Sequence, residues 1–377
     1  MIVEREALFA LLRLGLSLSL ESNCNNNTDI YTLLDCKKWR NIFQLSIQQG
    51  VNAIAADGLQ FLLENSGSKE LLKSLDAPPL KLQKMQWLGY SLTIERIYEQ
   101  HKHVMSELAA FYRTHGIKML VAKGYGLSLN YPVPNHRPLG DIDIWLFGEQ
   151  KRGDSALSEK GVKIDYGHHH HTIFNYKGVT IENYSDFLCV PGHRKNASYE
   201  RILKRLAYEE SVRSEINGED IYYPSANFNA LFILKHSATH FASTEMNLRQ
   251  LLDWGTFVLK HGKEVDWNFV VKVAKQYNLY HFMNCQNALC VDYLGFPLDV
   301  FPAFERNKEL ETRVLNDILS PEFNKKAPEG FLNGLLFKYE RWRANVWKHK
   351  ITFPESLTET LLTQIFAHIQ KPASLKN

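Results

Sequence analysis

The segment Gly140-Asp141-Ile142-Asp143-Ile144-Trp145-Leu146-Phe147 constrains this chain more than any other. Aliphatic residues recur at every second position, which is the period of a β-strand. Asp141, Asp143 and Trp145 then share one face, and Ile142, Ile144 and Leu146 share the other. The aliphatic face calls for cover by helices. On the acidic face the two carboxylates stand roughly 7 Å apart, at a rise of about 3.3 Å per residue. Aspartate is disfavoured in strands, and the two charges repel unless cations sit between them. A solvated edge strand is the bland alternative. Hard cations, which take carboxylate and phosphate oxygens together, are the functional one.

The rest of the chain has to house that strand. With 377 residues it exceeds one ordinary core. Residues 1–114 read as an N-terminal helical region. Leu8 to Leu20 predicts a buried helix, and Trp39, Ile42, Phe43, Leu45 and Ile47 predict another that stops at Gly50. Ser66-Gly67-Ser68 and Pro78-Pro79 punctuate the stretch beyond Gly50. A long helix is predicted over 81–114, with Ile97, His101, Val104, Leu108 and Phe111 on one face and Gly116 at its end. Residues 115–195 change character: strands are predicted at 117–121, 141–147 and 179–184, with a short helix near 154–160. From 196 to 377 the chain reads as helical again, most clearly over 228–242 and 248–259, with breaks at Pro321, Pro328 and Pro354. The expected fold class is α+β: a small mixed sheet flanked by N- and C-terminal helical regions.

Two segments give the acid strand a chemical setting. Upstream, Val121-Ala122-Lys123-Gly124 runs from a strand into a glycine turn, where backbone N–H groups can approach phosphate oxygens. Downstream, Val179-Thr180-Ile181-Glu182-Asn183-Tyr184 places Glu182 on a strand between apolar neighbours. A third carboxylate on an adjacent strand completes a two-cation site, and it can also take the proton of an incoming hydroxyl. Lys123 and Arg137 are candidates to neutralise a triphosphate.

On these residues the chain resembles a known family. Leu120-Val121-Ala122-Lys123-Gly124, then Tyr131-Pro132, then Arg137-Pro138-Leu139-Gly140-Asp141-Ile142-Asp143-Ile144 looks like the bacterial uncharacterised nucleotidyltransferases, within the polymerase-beta-type superfamily. The likeness is strong from about 118 to 147. It extends more faintly to Trp39–Val51 and to His240, Arg249 and Asp253. It implies Asp141, Asp143 and Glu182 as ligands of Mg²⁺, with two ions expected. Lys123, Gly124 and Arg137 would bind substrate. The implied reaction moves a nucleoside monophosphate from a nucleoside triphosphate such as ATP to an unidentified hydroxyl acceptor. Many relatives carry Gly or Ser after the turn glycine, where this chain has Tyr125, and the loop from Gly124 to Asp141 is longer than in many of them. The alternative expectation is therefore a nucleotide-binding regulatory protein of the same fold.

Other features point elsewhere or nowhere. His168–His171 cannot all face one ion from an extended chain, so the run reads as a loop beside the acid strand. His236 and His240 share a helix face, but Ser237 stands where a zincin needs glutamate. They read as core or substrate-lining groups. Arg249 and Asp253 are spaced for a helical ion pair. With 44 basic and 41 acidic residues, nucleic acid is not indicated as a partner. Five scattered cysteines without C-x-x-C suggest a reducing compartment. No stretch reads as a membrane span, and the cytoplasm is the expected location.

Overall fold

The computed structural model describes residues 2–18, 34–65, 78–243, 246–323, 331–356, 358–360 and 363. Leu20, Cys24, Ser66-Gly67-Ser68 and Pro328 lie outside them. Helices α1 (Ile2–Gly15), α2 (Cys36–Gln48), α3 (Asn52–Asn65) and α4 (Pro78–Thr114) come first. Next in the chain are strand β1 (Leu120–Ala122), the short α5 (Gly124–Ser128), β2 (Ile142–Trp145), α6 (Gln150–Glu159), β3 (Ile164–Asp165), β4 (His171–Tyr176) and β5 (Val179–Tyr184). Then come α7 (Asn196–Glu210), β6 (Val212–Ile216) and β7 (Glu219–Tyr223). The chain continues through α8 (Ala226–Ser243), α9 (Leu248–His261), α10 (Trp267–Gln276) and α11 (Tyr280–Asp292). It ends in α12 (Lys308–Leu319), α13 (Phe331–Ala344) and α14 (Val346–Thr352).

The fold is α+β, and the strands make one mixed sheet in the order β3-β4-β5-β2-β1-β7-β6. β2 lies between β5, to which it is parallel, and β1, to which it is antiparallel. The acid strand is thus central. It is no solvated edge.

Alternation along β2 sets the layers. Ile142, Ile144 and Leu146 join Val121, Ile181 and Phe174 under the long α4, against Val104, Met105, Leu108 and Tyr112. That is the helical cover the aliphatic face requires. Trp145 points the other way, into a second core with Phe187, Phe228 and Phe232 from the C-terminal half. Asp143 shares that face by strand alternation. α4 stops where expected, at Gly116 with φ +67°. His101 is buried on α4, its two ring nitrogens 2.8 Å from the carbonyls of Ile97 and Gly140. It fixes the backbone immediately before Asp141.

One finding departs from the sequence expectations. The stretch from 196 onward is not wholly helical, because β6 and β7 form a hairpin that extends the sheet beyond β1. Its turn is Asn217-Gly218, both left-handed at φ +49° and +86°, the geometry that Asn-Gly favours in a two-residue hairpin. The N- and C-terminal helices, in turn, share one core: Leu8, Leu11, Trp39 and Ile54 pack in the same cluster as Leu251, Trp254 and Phe282. Gln49 ties the halves together, accepting from the Leu248 N–H at 2.9 Å and donating to the Ile318 carbonyl at 3.0 Å. No described helix is long and apolar enough to cross a membrane. Cys36, Cys189, Cys285 and Cys290 are free thiols.

Candidate metal and nucleotide site

Strand register brings the three carboxylates together. Asp143 is the direct neighbour of Ala122 on β1 and of Glu182 on β5. Asp141 sits just before β2. One carboxylate oxygen from each of Asp141, Asp143 and Glu182 lies within 4.8 Å of the others. Asp141 is exposed, Glu182 half-buried, and Asp143 buried at 3% exposure. Among the described residues no other trio of histidine, cysteine, aspartate or glutamate comes together in this way.

Two further groups close around Asp143. Lys123 Nζ lies 2.8 Å from its Oδ1. The Tyr184 hydroxyl lies 2.9 Å from the same oxygen and 2.7 Å from Glu182 Oε2. That hydroxyl has one proton for two acceptors. Lys123 Nζ also donates to Tyr184 Oη at 3.2 Å. Motif reasoning passes over Tyr184. The signal is nonetheless in the sequence, because Tyr184 stands two residues after Glu182 and so shares its strand face.

The electrostatics stem from burial. Burial works against the Lys123 charge, but the charge and hydrogen bond of Asp143 outweigh it, so the lysine pKa stands above its ordinary value. Burial, opposed by Lys123, pushes Asp143 upward. Glu182 is raised to about 7 by burial and by the Asp143 charge, with the Tyr184 hydrogen bond opposing. Buried carboxylates that crowd one another behave in this way.

The other candidates from the sequence take different places. The left-handed backbone at the turn belongs to Lys123 (φ +43°, ψ −131°) rather than to Gly124. A Cβ on Gly124 would meet the Asp141 carbonyl at an ordinary 3.5 Å. Tyr125 turns away into the α4 core, its ring 5.2 Å from that of Tyr98. Arg137 is buried and grips Asp253, with Nε to Oδ1 at 2.7 Å and Nη2 to Oδ2 at 2.8 Å. Tyr131 donates to the same carboxylate at 2.8 Å. The expected Arg249–Asp253 helical pair does not form, because Arg137 engages both oxygens. Arg249 donates to the Pro138 carbonyl at 3.3 Å instead.

Histidines border the site. His171 opens β4, with Nε2 3.7 Å from Glu182 Oε1, and His168 stacks on it at 4.6 Å. Beyond them a cleft of about 390 Å³ is lined by His168, His169, His171, Gln150 and Ser185. His236 and His240 face one another at 4.4 Å on α8. Burial, and then the Lys123 charge, depress both.

The mixed sheet thus gathers three carboxylates, a set that could hold a metal ion, beside a buried ammonium. The chain belongs to the family described as uncharacterised nucleotidyltransferase, which matches residues 35–295, more than half of its length. Among solved structures it is similar to an antigenic nucleotidyltransferase-like protein from Paracoccidioides brasiliensis, at 16% identity and a TM-score of 0.32. That alignment covers 42% of this chain and 74% of the other. No curated protein sequence matches the chain.

Proposed function

We propose that the protein transfers a nucleoside monophosphate from a nucleoside triphosphate to a hydroxyl acceptor and releases pyrophosphate. The observation that carries this reading is the convergence within 4.8 Å of Asp143 and Glu182, on adjacent strands, and Asp141, just before β2. Their oxygens are hard donors, and the set fits a divalent cation such as Mg²⁺. A cation bound there supplies positive charge to phosphate oxygens.

The chain's own residues supply the rest. Asp141 and Asp143 hold the cation, one from solvent and one from the core. In the reaction an acceptor oxygen bonds to the α-phosphorus as the α–β bridging bond breaks. The acceptor proton passes to the Glu182 carboxylate, the third member of the cluster. Lys123 places a positive charge beside Asp143. Arg137 acts one step back, tying the loop that leads into β2 to α9 through Asp253. Arg249, His236 and His240 lie within electrostatic reach of Lys123, Arg137 or Asp141, the histidines favoured as neutral imidazoles by burial.

The test uses the full chain with Mg²⁺ and each of the four α-labelled ribonucleoside triphosphates. Equilibrium dialysis measures binding, and transfer of label onto components of a cell extract measures the reaction. Binding and transfer that both vanish in Asp143→Asn support the proposal. Absence of binding for every triphosphate, or indifference to Asp143→Asn, sinks it. Metal-dependent binding without transfer or pyrophosphate release turns the reading to a nucleotide-binding regulator.

A further inference from the structure

Lys123 sets a positive charge against the buried member of the acid cluster. Its ammonium is 2.8 Å from Asp143 Oδ1 and 3.2 Å from Tyr184 Oη. Aromatic faces flank it, with the Tyr184 ring centroid at 5.3 Å and the Phe232 centroid at 5.5 Å. Its side chain is 13% exposed. The backbone that delivers it has φ +43° and ψ −131°, a conformation L-residues rarely adopt. Such strain persists only where the surroundings enforce it. A flexible surface lysine needs none of this. A cation meant to stay in place does.

From this arrangement we infer that the site takes one divalent ion, with the Lys123 ammonium serving as the built-in second cation. The inference rests on the nucleotidyltransferase reading and changes its stoichiometry. Asp143 Oδ1 already faces an ammonium and a hydroxyl, and Glu182 Oε2 faces the same hydroxyl. That leaves Asp141, Asp143 Oδ2 and Glu182 Oε1, the last with His171 Nε2 at 3.7 Å, for a single ion. A second divalent ion against Asp143 Oδ1 would have to expel a lysine held by two acceptors and two rings. Lys123 is accordingly a positioning residue for the acid cluster. It supplies one unit of positive charge that does not depend on dissolved metal.

Counting ions tests this without reference to turnover. Mn²⁺ is titrated into the full chain and followed by electron paramagnetic resonance, alone and with each of the four α,β-methylene ribonucleoside triphosphates. Ions lost in Asp143→Asn are the ones counted. The expected result is one such Mn²⁺ per chain for the wild type, rising to two in Lys123→Met. Two in the wild type overturns the inference and leaves the nucleotidyltransferase reading standing. One Mn²⁺ that responds to none of the triphosphates supports the inference while that reading fails. None at all overturns both. Should Lys123→Met not fold, the wild-type count alone decides.

Discussion

Arg137 clasps both carboxylate oxygens of Asp253, 116 residues away, at 2.7 and 2.8 Å in a buried setting. Breaking a buried pair strands the remaining charge, at a cost of about 3–5 kcal/mol. Arg137→Gln is expected to lose stability in that range, read from denaturant unfolding. The paired change Arg137→Met with Asp253→Leu removes both charges and is expected to recover much of the loss. A loss in nucleotide affinity without loss of stability in Arg137→Gln would return the residue to direct phosphate binding.

The N-terminal helices make a sharper case. A Cβ at Gly58 would lie 1.9 Å from the Leu11 carbonyl, and one at Gly15 would lie 2.1 Å from the Ile54 carbonyl. Backbone oxygens cannot step aside, so α1 and α3 would have to separate. Gly58→Ala is expected to destabilise by at least the roughly 1–3 kcal/mol typical of overpacking. Gly89, in α4, is exposed and meets nothing within 4 Å. Gly89→Ala is expected to gain about 0.5–1 kcal/mol from helix propensity. Thermal melts of the two variants should therefore move in opposite directions. Equal shifts would contradict the close crossing.

Local pattern makes part of this fold legible in the sequence, as far as local pattern reaches. Alternation places Asp143 and Trp145 on one face, and it places Ile142, Ile144 and Leu146 on the other, because a strand's period is intrinsic to its backbone. The α4 face is legible from the helical period, and the Gly116 stop from glycine's tolerance of positive φ. The hairpin at 212–223 escapes the pattern although Asn217-Gly218 marks its turn, since the polar run of α7 leads straight into it. Contacts across the chain leave no such trace. Nothing near Arg137 names Asp253, and nothing near Lys123 says that its ammonium turns toward Asp143 rather than toward a phosphate. Those choices are made by packing, once β1, β2 and α9 have docked.

Buried Glu200 sets a pH dependence of unusual sign. Burial, the largest influence, raises it to about 7, although its carboxylate accepts the Phe187 and Leu188 N–H groups at 2.9 and 3.0 Å. The ordinary value is 4.5. Between pH 4.5 and 7 the folded state therefore holds more protons than the unfolded state, and stability falls as pH rises. Glu200 contributes fully below 4.5 and loses about 3 kcal/mol of that by pH 7. Unfolding free energies from pH 4.5 to 7.5 for the wild type and Glu200→Gln check this. The wild type should lose stability relative to the variant across that window. A difference that is flat, or that grows in favour of the wild type, would show that the two N–H donors keep Glu200 ionised.

Tyr184 offers a way to read the acid cluster through stability. Its hydroxyl bridges Asp143 and Glu182 at 2.9 and 2.7 Å, and so keeps those two oxygens from a cation while the bridge stands. Tyr184→Phe keeps the ring beside Lys123 and Phe187 and removes only the bridge. A hydrogen bond to a charged group contributes about 1.5–3 kcal/mol, so the metal-free variant is expected to melt below the wild type. Its carboxylates then repel one another with less relief, and a divalent ion meets less competition for their oxygens. Mn²⁺ affinity should rise. Because a ligand that binds only the folded state stabilises it by an amount that grows with the logarithm of one plus its concentration over Kd, the rise in melting temperature on adding Mn²⁺ should be larger in Tyr184→Phe than in the wild type. A smaller rise would mean that the hydroxyl helps assemble the cation site instead of guarding it.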